Sequence, residues 1–211
     1  INSAADSHAT IRQLCAEAKA DLAQVELFDH PNNDVWCRDH GPIFVKHGET
    51  GEVAVVDWGF NAWGGKFPPW DLDDAIPRRV AESLGMKRFE GGMILEGGAI
   101  EINSVGQLLT TEAVLLNPNR NPHLSRSDME TLLRNGLGVK EILWLKSGIE
   151  GDDTDGHIDD LVRFVSDEAM LACVEKDRSS PNHVVLAHNF DTLREFRKTT
   201  GGPFDLIEMP M

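Results

Sequence analysis

Positive charge is scarce in this 211-residue chain: Lys and Arg number 20 against 35 Asp and Glu, a net charge of −15, and no window is rich in Lys or Arg. That argues against a phosphate-backbone or anionic-membrane partner and favours a cationic ligand, with most of the carboxylates serving as solvated surface. Cysteine is scarce too. Cys15, Cys37 and Cys173 are odd in number and lack a CxxC spacing, so the sequence carries neither a disulfide framework nor a structural zinc site, and a reducing, cytoplasmic setting fits best. No apolar run approaches the ~20 residues of a membrane-spanning helix. The start at Ile1 shows no basic and apolar signal segment, and the chain reads as an internal piece of a longer one. Its length suffices to bury roughly 70% of the unfolded surface, which suits a single domain over residues 1–211.

What is present is a regular alternation of apolar runs and turn residues. Residues 8–24 carry Ile11, Leu14, Cys15, Ala18 and Leu22 at helical spacing behind a candidate N-cap, Ser7. A short strand is expected at 25–28. Strands follow at 43–45 and 53–58 across a turn at 49–52, then an irregular Gly/Pro/Trp loop at 61–69 and a helix over 71–84 stopped by Gly85. The second stretch predicts strands at 99–103, 107–111 and 114–116 and a helix from Ser125 to about Asn135. The third predicts strands at 141–145, 161–165 and 169–174, a helix over 180–199 and a strand at 204–209. The class is therefore α/β.

Asp39, Glu96 and His157 each stand close to glycine ahead of a predicted strand, 57 and 61 residues apart, with one helix in each interval. A recurring strand–strand–helix unit is the mark of a repeat architecture, whose loops on one face can converge on an axis. Asp and Gly also favour turns wherever they fall, which is the plainer explanation of the same pattern.

The densest polar stretch runs from Gly148 to Asp160, with five Asp and one His ahead of an apolar strand. Aligned on Gly156, an EF-hand template needs an acid at its first position and Glu at its twelfth; Gly151 and Val162 stand there, and a lone His is thin for zinc. An organic cation fits better. A planar guanidinium presents donors on both sides, so carboxylates from two loops can each take a pair of charge-assisted hydrogen bonds, and Asp39 and Asp159 are the candidates. His157, two residues before Asp159, faces the same cavity if the segment is extended. Glu96 would then fix its tautomer and raise its pKa. A hydrogen-bonded loop histidine is the alternative for His157.

Several motifs together carry a family resemblance: Asn33-Asp34-Val35-Trp36-Cys37-Arg38-Asp39-His40-Gly41-Pro42, Phe60-Asn61-Ala62-Trp63-Gly64-Gly65, Leu95-Glu96-Gly97-Gly98, Leu116-Asn117-Pro118-Asn119-Arg120-Asn121-Pro122 and Gly151-Asp152-Asp153-Thr154-Asp155-Gly156-His157-Ile158-Asp159. In order and spacing, from about Asn32 to Val165, the chain resembles the agmatine deiminase and bacterial peptidylarginine deiminase family. The resemblance implies the pentein fold, an α/β propeller of five pseudo-repeated ββαβ units around a central site, with about three units here and the domain cut at both ends. It implies that Asp39 and Asp159 hold the guanidinium, that His157 is the general acid and base, that Glu96 is the site carboxylate and that Trp36 belongs to the substrate pocket. Arg120 and Arg163 are expected to be structural and ion-paired.

The implied reaction is hydrolysis of a C–N bond through a cysteine thiouronium intermediate, without metal or organic cofactor. Agmatine going to N-carbamoylputrescine, a step of putrescine and polyamine synthesis, is the first expectation for the substrate, and an arginine or peptidylarginine group is the alternative. The family's nucleophile lies in a Gly-rich stretch beyond the His motif, so it is expected outside these 211 residues, and the fragment alone is expected to be inactive. Cys37, two residues from Asp39, is the one rival; Cys173 lies in an apolar strand and Cys15 on the first helix. A homo-oligomer is a further expectation. A non-catalytic guanidinium-binding or assembly module is the alternative of another class, since open strand edges invite a partner chain.

Overall fold

The chain opens on short elements: β1 (Asn2–Ser3), α1 (His8–Glu17), β2 (Phe28–Asp29), which pairs in parallel with β1, and α2 (Cys37–His40). It then repeats one connectivity three times. In the computed structural model, which describes residues 1–211, the first unit pairs β3 (Ile43–Lys46) antiparallel to β4 (Val53–Gly59). The chain crosses over through α3 (Ala62–Gly65), α4 (Asp71–Asp74) and α5 (Ile76–Ser83), and β5 (Lys87–Ile94) returns parallel to β4. The second unit is β6 (Glu101–Ile102), β7 (Gln107–Thr111), α6 (Glu112–Leu115), α7 (Arg126–Leu137) and β8 (Glu141–Leu145), again antiparallel and then parallel. The third is β9 (Val162–Phe164), β10 (Ala169–Val174), α8 (Asn182–Glu195) and β11 (Asp205–Pro210). A helical crossover is what a parallel return requires. The result is three separate three-stranded sheets, each with the middle strand paired on both sides.

The middle sheet has a core on each face. Leu108 joins Val56, Trp58, Met93, Leu133 and Trp144 on one side, whereas its neighbour Leu109 joins Leu143, Leu145, Ile158, Met170 and Leu186 on the other. All five residues of β7 are therefore buried, and each leucine taken from water contributes about 1.5–3 kcal/mol. Trp58 enters the first core by lying across Gly91 of β5, where any side chain would collide with the indole.

Several elements differ from their predicted form. The first helix ends at Glu17 rather than running to 24, because Lys19 turns left-handed at φ 59; it buries no residue, and Leu14 is 57% exposed. The strand expected at 25–28 shrinks to β2. Residues 112–115 are helix α6, not strand, because the Thr111 side chain accepts the Val114 N–H and starts a helical turn. The helix from Ser125 continues through Gly136 to Leu137; Ser125 and Asp128 close a capping box at its head. Strand β5 had no sequence signal: its first four residues are exposed and two glycines follow, so it shows no alternation. No helix is long and apolar enough to cross a membrane.

Candidate active site

Each unit is led in by a short helical turn carrying one of the expected site groups. Asp39 lies in α2, four residues ahead of Ile43 of β3. Glu96 and His157 hold the N-cap positions of 3-10 turns at Gly97–Ala99 and Ile158–Asp160, each five residues ahead of its unit's first strand. The stretch from His157 to Asp159 is thus a turn rather than the extended segment the sequence suggested, yet both side chains face one cavity.

Gly98 is where the three lead-ins touch. Its N–H donates to Asp39 Oδ1 at 3.1 Å. A Cβ there would press on His157 Nδ1, on Asp39 Oδ1 at 2.7 Å and on Asp159 Oδ2 at 3.0 Å, so only glycine leaves room for this approach. His157 Nδ1 stands 3.7 Å from Asp39 Oδ1 and 3.9 Å from Asp159 Oδ1, too far for hydrogen bonds, and its Nε2 is buried without a partner.

Glu96 does not orient His157. Its Oε1 accepts Arg120 Nε at 2.6 Å, both side chains are fully buried, and Oε2 is left without a partner. Arg120 continues to Asp155 Oδ2 at 2.6 Å and to the Thr154 carbonyl at 2.9 Å, tying Glu96 to the loop that carries His157. Asp155 also accepts from Asn119 and from Lys66, so that one carboxylate joins all three units. Asp152 shapes the same loop, accepting the N–H groups of Thr154 and Gly156. Arg163, expected to be paired, has its Nε 2.9 Å from Glu101 Oε2, an ion pair out of line for a hydrogen bond.

The charges follow from burial. Desolvation pushes Asp39 up to about 6, against the pull of the Trp63 indole and Gly98 N–H donors. Desolvation holds His157 down at about 4, opposite to the expected rise, so the imidazole is neutral at pH 7. Asp159 is raised by burial, with Arg163 and Arg38 opposing. Burial also raises Glu96 in spite of Arg120. In Asp155 the donors Lys66, Asn119 and Arg120 outweigh burial and keep the carboxyl below its ordinary range.

The cavity has a volume of about 700 Å³. Trp36, Asp39, His157 and Asp159 line it, as the sequence suggested; Glu96 lies behind the wall. Sequence reasoning missed Trp63, Phe67, Arg38, Asp34, Asp153, Thr154 and Asp160, which complete the lining. The aromatic members were hidden in a loop whose Gly and Pro content masked its packing. A separate hollow of about 470 Å³ near Arg78 and His123 has its Asp57 already paired with Arg88 at 2.6 Å. No group of three or more His, Cys, Asp or Glu is arranged to hold a metal ion. None of the three cysteines lines the cavity: Cys37 is exposed beside it, Cys173 is buried with its thiol pKa raised by desolvation, and Cys15 lies on α1. The arrangement can clasp a planar cation between two carboxylates from different units, with a neutral imidazole against it.

Residues 1–211 match the family model of the Porphyromonas-type peptidyl-arginine deiminases. Agmatine deiminase of Pseudomonas putida is 39% identical over 201 residues, 93% of this chain and 54% of that protein. Among solved structures, agmatine deiminase of Enterococcus faecalis superposes with a TM-score of 0.88 at 30% identity over 99% of this chain and 57% of its own. A cysteine-to-serine variant of C. jejuni agmatine deiminase with substrate bound gives a TM-score of 0.82 at 36% identity, covering 93% of this chain and 57% of the other. The chain spans about half the length of the curated relatives it matches.

Proposed function

The chain belongs to the Porphyromonas-type peptidyl-arginine deiminase family, and on that premise we propose that the protein it comes from is a guanidine-group deiminase whose substrate is agmatine. The observation that carries the choice of substrate is the charge of the cavity wall. Asp34, Asp39, Asp153, Asp159 and Asp160 face it, with Arg38 the sole permanent cation among the lining groups. Agmatine brings a guanidinium and a second cation at the far end of its chain, and the aromatic faces of Trp36 and Phe67 suit either charge. Free arginine brings a carboxylate into the same acidic space and is disfavoured at short range.

Asp39 and Asp159 grip the guanidinium edges, and His157 moves protons. Neutral imidazole takes the proton of a cysteine thiol, the thiolate adds to the guanidinium carbon, and the imidazolium returns that proton to the departing nitrogen as ammonia leaves. Imidazole then deprotonates water, whose oxygen attacks the thiouronium carbon; the C–S bond breaks with its electron pair on sulfur, the thiolate recovers a proton from the imidazolium, and the ureido product leaves after its oxygen gives up its remaining proton to solvent. The thiol comes from a segment outside these 211 residues, since no cysteine of this chain lines the cavity. The three ββαβ units are read as consecutive sectors of a five-unit propeller that closes around the cavity.

The test is an assay of the full-length protein with agmatine, free arginine and an N-acylated arginine amide, scoring ammonia and ureido product. Agmatine is expected to show the highest kcat/KM, with turnover lost in His157→Ala. Equal or better turnover of either arginine substrate would sink the choice of agmatine, and wild-type rates in His157→Ala would remove that residue from the chemistry.

A further inference from the structure

The carboxylate that grips the guanidinium is itself gripped, by a residue to which the sequence assigned no role. Trp63 Nε1 donates to Asp39 Oδ2 at 3.1 Å while the Gly98 N–H donates to Oδ1, so each oxygen of this cavity-lining carboxyl has one fixed donor and capacity for a second. Trp63 reaches this position from α3, a left-handed turn: Ala62, Trp63, Gly64 and Gly65 all have positive φ, at 50, 54, 86 and 79°. Two L residues hold this conformation only where the surroundings impose it. Asn61 imposes it, accepting the Gly64 N–H on Oδ1 at 2.9 Å and donating from Nδ2 to the Asn119 carbonyl of the second unit at 2.9 Å. The edges of Phe60 and Phe67 then fix the plane of the indole. Elsewhere the fold leaves an indole N–H unpaired in its core, at Trp58, so satisfying the donor is not what makes the turn necessary.

We propose that Trp63 is a positioning residue for substrate binding: the left-handed turn aims its indole N–H at Asp39, locking the rotation of that side chain and holding it as the carboxylate that the guanidinium requires. The proposal rests on the reading of this cavity as a guanidinium site. The groups that act on Asp39 from the elements packed around it are Asp159 and His157 from the third unit, Glu96 ahead of Gly97, and Arg38 on its own helix. Of these, Asp159 and Glu96 push its proton affinity up, in the same direction as burial; the indole opposes them. Without the N–H, Asp39 keeps its proton to higher pH and turns more freely, so the cation finds a neutral and misaligned partner at a pH where the native site is already ionised.

The test uses the full-length protein and two readouts. Indole N–H resonances are followed by NMR from pH 5 to 8, the Trp63 signal being assigned by its loss in Trp63→Phe. It is expected to move through one midpoint near that of Asp39, and the movement is expected to vanish in Asp39→Asn. Apparent agmatine affinity is taken as 1/KM over the same range, since the full-length protein turns the ligand over: Trp63→Phe should raise the midpoint of the acid limb by about one pH unit, the size expected for losing a hydrogen bond to a charged group. Above pH 8 affinity should fall by less than about threefold, and Trp70→Phe, which alters the same aromatic cluster without this donor, should leave the midpoint in place. A Trp63 signal that ignores pH, or that titrates unchanged in Asp39→Asn, overturns the proposal, as does an acid limb that stays put in Trp63→Phe. Absence of agmatine turnover at every pH would count against the substrate instead, and the indole titration would still decide the role of Trp63. Should Trp63→Phe fail to fold, an indole titration present in the wild type and lost in Asp39→Asn still supports the contact, and its persistence in Asp39→Asn still overturns it.

Discussion

Asp39 and His157 titrate over nearly the same range with opposite consequences for folding. The raised pKa of Asp39 stabilises the fold below about 3.8, its ordinary value, and that contribution is lost as pH rises through about 6. The lowered pKa of His157 works the other way: its contribution is full above 6.5 and lost as pH falls through about 4. In the wild type the two slopes largely offset. Asp39→Asn removes one of them, so its Tm relative to wild type is expected to rise between pH 4.5 and 6.5, by calorimetry at matched ionic strength; a constant difference would show that Asp39 keeps an ordinary pKa. Sequence alone offered Asp39, His157 and Asp159 as a set through the donor geometry of a guanidinium and the family resemblance, while the turn preference of Asp and Gly remained the plainer explanation of their spacing. It could not show that desolvation would beat the neighbouring acids at His157, because depth of burial depends on all three units. Trp63 was illegible for a related reason: four successive left-handed residues cannot be read from Ala62-Trp63-Gly64-Gly65.

At the level of elements, the 3-10 turns after Glu96 and His157 are tied together by a side chain from the connection between α6 and α7. Arg120, fully buried, pairs with Glu96 on one turn and with Asp155 ahead of the other. Arg120→Met would leave Glu96 buried without its cation, at a cost of about 3–5 kcal/mol by urea denaturation. Adding Glu96→Gln should recover most of that loss; a double variant as unstable as the single one would show that Arg120 acts through Asp155 and the Thr154 carbonyl instead. The pairing was anticipated as an ion pair but not its partner, since 24 residues separate the two and no periodicity links them. Helix boundaries were legible where a cap is local, as at Ser125 with Asp128, and illegible where it is an exception within an apolar run, as at Thr111. The β5 strand escaped because its Gly91 makes room for Trp58 from the neighbouring strand, a reason outside the strand itself.

For the whole molecule, the polar lead-ins at nearly constant spacing pointed to a recurring unit, although turn preference explained the same spacing more plainly. The relation of each sheet to its neighbours was not legible, and it decides which faces of β4 and β7 are buried. The two ends of the units also carry different constraints. The lead-ins converge on the cavity, whereas the β-hairpin turns lie at the opposite ends of the strands. Two of those turns are clasped to each other, with Ser104 Oγ donating to Asp167 Oδ2 at 2.6 Å and its N–H to Oδ1 at 2.9 Å. The first unit's turn, residues 47–52, closes only on itself through His47: its Nδ1 accepts the N–H groups of Glu49 and Thr50, and Gly51 N–H reaches the His47 carbonyl at 3.0 Å. That makes it a splice point. A short epitope or fluorophore-bearing peptide inserted between Thr50 and Gly51 should leave agmatine affinity within about twofold of wild type, since loop extension there costs little and moves nothing at the lead-ins. The same insertion between Ser104 and Gly106 should destabilise the fold by parting the clasp, and equal tolerance at both would mean that the two hairpins are interchangeable. A label placed at the first hairpin would then report on the protein from the far side of the sheet, without entering the cavity lined by Asp39, His157 and Asp159.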